Sequence, residues 1–141
     1  MDQLNSGQLL EQLPLNNLPL VSVICLCFNH EKYVEEAIQS VFDQNYANIE
    51  LIVVDDASSD GSSELIEKIL ENSSVEFIKV DSNLGNTKAF NLGFFKSTGK
   101  YIIDLAADDI LVKDRIERQV SFFEGCKNNI GVIYSDAIYI Y

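Results

Sequence analysis

The sequence predicts an α/β fold in which a mostly parallel, Rossmann-like sheet carries helices on both of its faces. Short apolar runs typical of buried strands alternate along the chain with segments whose apolar residues recur at helical spacing. This alternation, βαβαβαβ, requires crossover connections, which are right-handed in nearly all parallel sheets. The length of 141 residues suits a single domain, and the hydrophobic fraction of 47% suits a chain with a packed core.

The elements follow in a regular order. Nearly continuous apolar runs, typical of strands covered on both faces, predict strands at residues 20–28, 49–54, 75–80, 101–105, 130–134 and 138–141. Apolar residues at helical spacing predict helices at 31–42, near 65–70, at 87–96 and at 113–123. Asn29 is a candidate cap for the first helix.

The chain divides into a polar amino-terminal extension at residues 1–19 and one domain at residues 20–141. In the extension, Leu9, Leu10 and Leu13 fit either a short docked helix or a frayed tail. We find no apolar run long enough to span a membrane and no secretory signal.

Charge and cysteine content exclude several classes of protein. The net charge of −12 and the pI of about 4.3 disfavour a nucleic-acid partner or an anionic membrane surface, both of which require clustered Lys and Arg. The three cysteines are an odd number, and Cys25 and Cys27 lie at strand spacing on one face, so we expect reduced thiols in a cytoplasmic protein. One histidine and no paired CxxC motif argue against a zinc site.

Polar residues gather where the predicted strands end. Asp55 and Asp56 follow the second strand, and Asp108 and Asp109 follow the strand at 101–105. The carboxyl edge of such a sheet is where ligands bind, so we expect a site there. Adjacent carboxylates repel one another, and a hard divalent cation such as Mg²⁺ or Mn²⁺ would relieve that repulsion. Capping of the following helix is an equal alternative for both pairs.

Other residues near this edge admit two interpretations each. Phe28 could stack on a nucleobase, although packing in the core is the more common role of such a residue. Asp55 or Asp56 could accept a base N–H. Lys88 could contact a phosphate, although an exposed helix charge is its usual role. His30 is isolated in the sequence, and we expect no catalytic role for it.

Seven motifs together resemble family-2 glycosyltransferases of the GT-A fold. They are VSVI at 21–24, FN at 28–29, IELIVVDDASSDGS at 49–62, NLG at 83–85 and again at 91–93, GKY at 99–101 and ADD at 107–109. Each motif is weak alone, but their combination and order are specific. The resemblance extends from about residue 20 to the end of the chain.

The resemblance implies an inverting transferase that uses a nucleotide-diphosphate sugar, with a UDP-sugar favoured, in polysaccharide or glycoconjugate synthesis. Residues 20–141 would then be its nucleotide-sugar-binding part, and the acceptor remains an unknown glycan or other molecule. The family's base-binding positions correspond to Cys27, Phe28, Asn29 and Asp55-Asp56, with Asp56 the stronger candidate. Its acidic motif, which holds the nucleotide and a Mn²⁺ or Mg²⁺ ion, corresponds to Asp108 and Asp109.

The sequence departs from the family pattern at several positions. The usual PTYN is LCFN at 26–29, Ala106 replaces the first carboxylate of the DxD pattern, Asp104 replaces an apolar residue, and Phe90 replaces an Arg. Family members also continue beyond the equivalent of Tyr141, so we expect a fold cut at its carboxyl end, without the acceptor half and the catalytic base.

Inactivity of the 141-residue chain alone and a homo-oligomer formed through the apolar residues 138–141 are two further expectations. Two alternatives to the enzyme remain. One is a nucleotide-binding module without turnover. The other is a receiver-like signalling domain, which would need an acidic pair after the first strand, where this chain has Phe28-Asn29.

Overall fold

A computed structural model describes residues 18–126 and 130–140 of the chain. The strands are β1 (Val21–Cys27), β2 (Ile49–Asp55), β3 (Glu76–Lys79) and β4 (Tyr101–Ala106). The helices are α1 (Val34–Phe42), α2 (Ser62–Ile69), α3 (Asn86–Lys96) and α4 (Arg115–Gly125). This order confirms the alternation predicted from the apolar runs.

The four strands form one parallel sheet in the order β3-β2-β1-β4. In this register Cys27 lies beside Asp55, and Leu26 lies beside Ala106. The carboxyl ends of β2, β1 and β4 therefore come to the same edge, in that order. Since β1 is the central strand of the three, its terminal loop lies between the two acidic segments.

The core is divided by the sheet. On one face, alternate strand residues such as Val23, Cys25 and Val53 pack in one buried cluster with apolar residues of α1, α2 and α4. On the other face, Ile24, Ile52 and Val54 pack with Ala89 of α3. The structure thus confirms helices on both faces. It also explains the near-continuous apolar runs of β1 and β2, because both sides of these strands are covered.

Helix α4 is fastened to the beginning of β4 by polar and aromatic contacts. The Glu124 carboxylate accepts hydrogen bonds from Lys100 Nζ and from the Tyr101 hydroxyl, each at 2.5 Å. The Tyr101 ring stacks on Phe123 with 4.7 Å between ring centroids. These contacts lie at the edge of the sheet opposite to the acidic loops.

Three local predictions need correction. Asn29 does not cap α1, which begins after Tyr33 without a side-chain cap; Asn29 instead adopts a left-handed backbone conformation with φ 58°. Residues 130–134 and 138–140 form no strand, because a strand requires a ladder partner and none of the described strands pairs with them. Most of these residues are exposed. Residues 1–17, including the possible helix around Leu9–Leu13, and Tyr141 lie outside the described residues.

Candidate functional site

Backbone hydrogen bonds join the loops that follow β1, β2 and β4. The Asp56 N–H donates to the Cys27 carbonyl at 2.9 Å, and the Ala107 N–H donates to the Leu26 carbonyl at 2.8 Å. The parallel ladders thus continue one step past the strand ends. The predicted meeting of the acidic segments at one edge is therefore present in the structure.

The loop after β1 is held to the loop after β2 by side chains from both. The Asn29 N–H donates to Ser58 Oγ at 2.9 Å, and Asn29 Oδ1 accepts the Ser59 N–H at 2.7 Å. The left-handed conformation of Asn29 allows both bonds, since Asn tolerates this region better than most residues. Asn29 is exposed, but its amide oxygen is already engaged by the neighbouring loop.

Further along, the same two loops exchange three more hydrogen bonds. The His30 N–H donates to Ser62 Oγ at 3.0 Å, and the Glu31 N–H donates to Asp60 Oδ2 at 3.1 Å. The Gly61 N–H in turn donates to Glu31 Oε2 at 3.2 Å. The two loops thus form one locked unit, which we call the loop clamp (residues 29–31 with 58–62).

Asp56 has a structural partner that the sequence did not indicate. Its side chain is buried, at 5% exposure, and its carboxylate accepts the backbone N–H groups of Leu84 at 2.7 Å and Gly85 at 2.9 Å. Gly85 has a φ of 81° and immediately precedes α3. Asp56 therefore does not cap the helix that follows it in sequence. It fixes the loop after β3 and the start of α3 to the site edge.

Three other candidate base-binding residues, Cys27, Phe28 and Asp55, differ sharply in exposure. Phe28 is 44% exposed, although it directly follows a buried strand. Cys27 and Asp55 are fully buried. Burial raises the pKa of the Cys27 thiol, so this side chain is a neutral core group. The Asp55 carboxylate accepts the Ser58 hydroxyl at 2.5 Å and the Ser58 N–H at 3.3 Å, so it shapes the loop from beneath.

Asp108 and Asp109 lie in the turn after β4, and both are exposed. The turn is closed by the Asp109 N–H, which donates to the Ala106 carbonyl at 3.0 Å. Within residues 18–126 and 130–140, neither carboxylate accepts a protein hydrogen bond, and no group of three or more His, Cys, Asp or Glu side chains is arranged to hold a metal. The pair thus offers two adjacent oxygen ligands that are open to solvent.

The structure brings His30 to this turn. Its Nε2 atom is 3.8 Å from Asp108 Oδ2, and its Nδ1 atom is buried without a hydrogen-bond partner in the described part of the chain. His30 is isolated in the sequence, which predicts no partner for it. The order of the strands could have indicated this contact. His30 follows the end of β1 by three residues, and Asp108 follows the end of the neighbouring strand β4 by two.

Lys88 is exposed on the first turn of α3, three residues after Gly85. It takes part in none of the ion pairs formed among the described residues. The structure therefore places Lys88 near the Asp56-bound loop but gives it no contact with the acidic turn.

Two cavities lie away from this edge. One, of about 540 Å³, is lined by residues such as Phe42, Tyr46 and Lys96. The other, of about 320 Å³, lies between β4, α4 and residues 131–134. Neither is lined by Phe28, Asp56 or Asp108, and at the acidic edge Phe28, Asp108 and Asp109 are exposed.

The described helices include none long and apolar enough to cross a membrane.

Sequence comparisons assign the chain to a family. The profile of glycosyl transferase family 2 matches residues 22–137. An uncharacterized glycosyltransferase of Haemophilus influenzae is 39% identical over 107 residues, which cover 75% of this chain and 43% of that protein. The putative teichuronic acid biosynthesis glycosyltransferase TuaG of Bacillus subtilis is 37% identical over 107 residues, which cover 74% of this chain and 42% of that protein. The chain thus spans less than half the length of these relatives.

Solved structures share the fold. S. aureus TarS residues 1–349 in complex with UDP superposes with a TM-score of 0.68 at 26% identity, covering 74% of this chain and 32% of that one. The complex of the same protein with UDP-GlcNAc gives 0.68 at 27% identity, covering 74% and 31%. The mannosyltransferase PcManGT from Pyrobaculum calidifontis gives 0.71 at 22% identity, covering 83% and 37%, which shows likeness of fold. These matches confirm the GT-A fold expected from the motifs.

Proposed function

Because the chain belongs to glycosyl transferase family 2, we propose that its acidic sheet edge binds the nucleotide diphosphate of a sugar donor, for transfer to an acceptor with inversion. The observation that carries the proposal is the position of exposed Phe28 directly after β1, the strand that lies between those ending in Asp55-Asp56 and in the Asp108-Asp109 turn. A UDP-sugar is favoured, because the TarS structures that resemble this chain hold UDP and UDP-GlcNAc. Polysaccharide or glycoconjugate synthesis is the proposed setting.

In this proposal the base lies against Phe28. An exposed aromatic ring at a strand end provides a stacking surface, which contributes about 1–3 kcal/mol per base. A carboxylate oxygen has two lone pairs, so Asp56 can accept a base N–H while it holds the backbone of Leu84 and Gly85. Cys27, Asn29 and Asp55 contribute by shaping the loops, and Lys88 is the proposed phosphate contact.

Asp108 and Asp109 are the proposed ligands of Mn²⁺ or Mg²⁺. They fit that role because Mg²⁺ is held by one or two carboxylates, with water and substrate phosphates at its other positions. Both side chains are exposed, which leaves room for those ligands. A protein with a net charge of −12 repels a diphosphate unless a cation lies between them. When bound, the ion would offset the charge on the leaving diphosphate.

The catalytic base is proposed to lie outside the described residues. Inversion requires a base that takes the acceptor proton, and four carboxylates follow Asp109 in the sequence. Two of them are engaged elsewhere: Asp114 pairs with Arg118, and Glu124 binds Lys100 and Tyr101 at the opposite edge. Glu117 is on α4, and Asp136 is exposed in a segment without strand structure. We therefore propose that the 141-residue chain alone binds donor without useful turnover.

Calorimetry tests the binding proposal directly. We expect UDP to bind in the presence of Mn²⁺, and to lose that binding with EDTA or in Asp108→Ala. Asp43→Ala is the matched control, because it removes the same charge from an exposed position at the far end of α1. Equal UDP affinity with and without EDTA would contradict the metal role, and a panel of other nucleoside diphosphates would identify the preferred base.

A turnover assay separates the enzyme from a nucleotide-binding module without activity. Release of nucleoside diphosphate from a panel of sugar nucleotides with mixed acceptors is compared for this chain and for one extended beyond Tyr141. We expect acceptor-dependent release by the longer protein alone. Robust release by the 141-residue chain would show that the chain itself supplies the base, and no release by either would favour the binding module. The family assignment leaves no support for a receiver-like domain.

A further inference from the structure

We propose that His30 is a positioning residue that orients the Asp108 carboxylate toward the cation and the diphosphate. This inference rests on the proposed function and goes beyond it, because neither the motifs nor the comparisons assign His30 a role. The observation behind it is the 3.8 Å separation of His30 Nε2 and Asp108 Oδ2 across the ends of two adjacent strands.

The backbone of His30 is fixed independently of its side chain. Its N–H donates to Ser62 Oγ at 3.0 Å, and its carbonyl accepts the N–H groups of Tyr33 and Val34, each at 2.9 Å. The imidazole therefore projects from an anchored point in the loop clamp. Because the backbone of His30 is held in place, its imidazole ring can in turn restrict the position of a neighbouring side chain.

The surroundings of the imidazole ring indicate which of its two nitrogens carries the proton. A neutral imidazole has one N–H and one lone pair. A lone pair on Nε2 would face the Asp108 carboxylate and be repelled by it, and the proton would then be on Nδ1, which is buried without a partner among the described residues. The proton is therefore placed on Nε2, where it is attracted to the carboxylate. Charged imidazole presents the same N–H.

The Asp108 side chain is free to adopt several rotamers, and a contact with His30 would restrict them. Its side chain is 50% exposed, and its neighbour Asp109 carries the same charge. Within the described segments, His30 is the only side chain found in a polar contact with it. A gap of 3.8 Å is too long for a direct hydrogen bond, but a small rotation of either side chain or one bridging water closes it.

A residue that hydrogen-bonds a metal ligand affects metal binding by orienting that ligand. Removing a group that hydrogen-bonds a metal-ligating side chain typically costs about 10–100-fold in metal affinity or activity. We therefore expect His30→Leu to weaken Mn²⁺-dependent UDP binding by about tenfold. His30→Gln, which has a similar size and keeps an N–H donor, is expected to retain most of the affinity. Binding of uridine, which has no phosphate, is expected to be the same in all variants.

A double-mutant cycle measured by calorimetry decides whether His30 acts through Asp108. The proteins are wild type, His30→Leu, Asp108→Asn and the double variant, each titrated with UDP in Mn²⁺, with circular dichroism to verify the fold. Asp108→Asn is used in place of Asp108→Ala because its amide keeps one oxygen ligand, so that weakened binding is expected to remain measurable. If the inference is correct, His30→Leu causes no further loss once Asp108 is Asn. The same tenfold loss in both backgrounds would overturn it, because His30 would then contact the nucleotide directly.

Two further readings complete the design. Binding of Mn²⁺ without nucleotide is measured by electron paramagnetic resonance. Mn²⁺ is expected to bind more weakly to His30→Leu than to His30→Gln. Equal binding of Mn²⁺ to the two variants would count against the inference. Wild-type protein that fails to bind UDP with Mn²⁺ would overturn the proposed function and this inference with it. Wild-type binding with an unchanged His30→Leu affinity would overturn the role of His30 alone.

Discussion

Asp56→Ala is expected to destabilise the protein as well as to weaken nucleotide binding. The carboxylate accepts two backbone N–H groups, from Leu84 at 2.7 Å and Gly85 at 2.9 Å, and the side chain is buried. A hydrogen bond to a charged group contributes about 1.5–3 kcal/mol. Leu84 and Gly85 are partly accessible to water, which can replace part of what is lost. Taking the lower value for both bonds, we expect a loss of about 3 kcal/mol in unfolding free energy.

Asp56→Asn gives an internal calibration of that estimate. The amide keeps one acceptor oxygen but has no charge, so about half of the loss, roughly 1.5 kcal/mol, is expected. Asp81→Ala is the control, since it removes an exposed carboxylate from the same connection between β3 and α3. Urea unfolding monitored by circular dichroism gives the three values, with an unchanged slope as the sign that the same transition is measured.

The result that would refute this reasoning is an Asp56→Ala midpoint equal to that of Asp81→Ala. Asp56 would then make no net contribution through the loop after β3, and its burial would have to be explained by packing alone. A large loss in Asp56→Asn, equal to that in Asp56→Ala, would show instead that the negative charge carries the whole effect.

Three more outcomes are expected. Phe28→Ala should weaken UDP binding by about 1–3 kcal/mol in calorimetry and leave the urea midpoint unchanged, because the ring is 44% exposed; normal binding would exclude stacking. Hydrogen bonds from Lys100 and Tyr101 lower the pKa of Glu124, so its contribution to stability is present above the ordinary Glu value of about 4.3 and is lost as the pH falls below it. Glu124→Gln should therefore be less stable than wild type at pH 7 and equally stable in acid. Sedimentation should show a dimer or higher oligomer that Ile138→Ser with Ile140→Ser dissociates, since these side chains are 81% and 74% exposed; a monomer at high concentration would contradict it.

The sheet and its site edge could be predicted because the signals for them are local. Continuous apolar runs mark β1 and β2, and the two acidic pairs lie at the carboxyl ends of β2 and β4. Once the strands are parallel, Asp55-Asp56 and Asp108-Asp109 must meet at one edge, and this part of the prediction is confirmed by the fold.

The remaining contacts could not be predicted because they join residues far apart in the sequence. The bond from Gly85 to Asp56 spans 29 residues, and the approach of His30 to Asp108 depends on which strands are neighbours. The error over residues 130–134 has the same origin. An apolar run predicts the capacity to form a strand, whereas a ladder depends on a partner strand that a single segment does not reveal.

The loop clamp limits which segments of this edge can be transferred between related proteins in a chimera. Each of its two loops supplies both donors and acceptors to the other: Asn29 donates to Ser58 and accepts from Ser59, and Glu31 donates to Asp60 and accepts from Gly61. A chimera that imported residues 58–62 alone would bring the N–H groups of Ser59 and Gly61 to a recipient without the Asn29 amide oxygen and the Glu31 carboxylate that accept them. Residues 29–31 and 58–62 therefore behave as one transferable module, although 26 positions of intervening chain separate them.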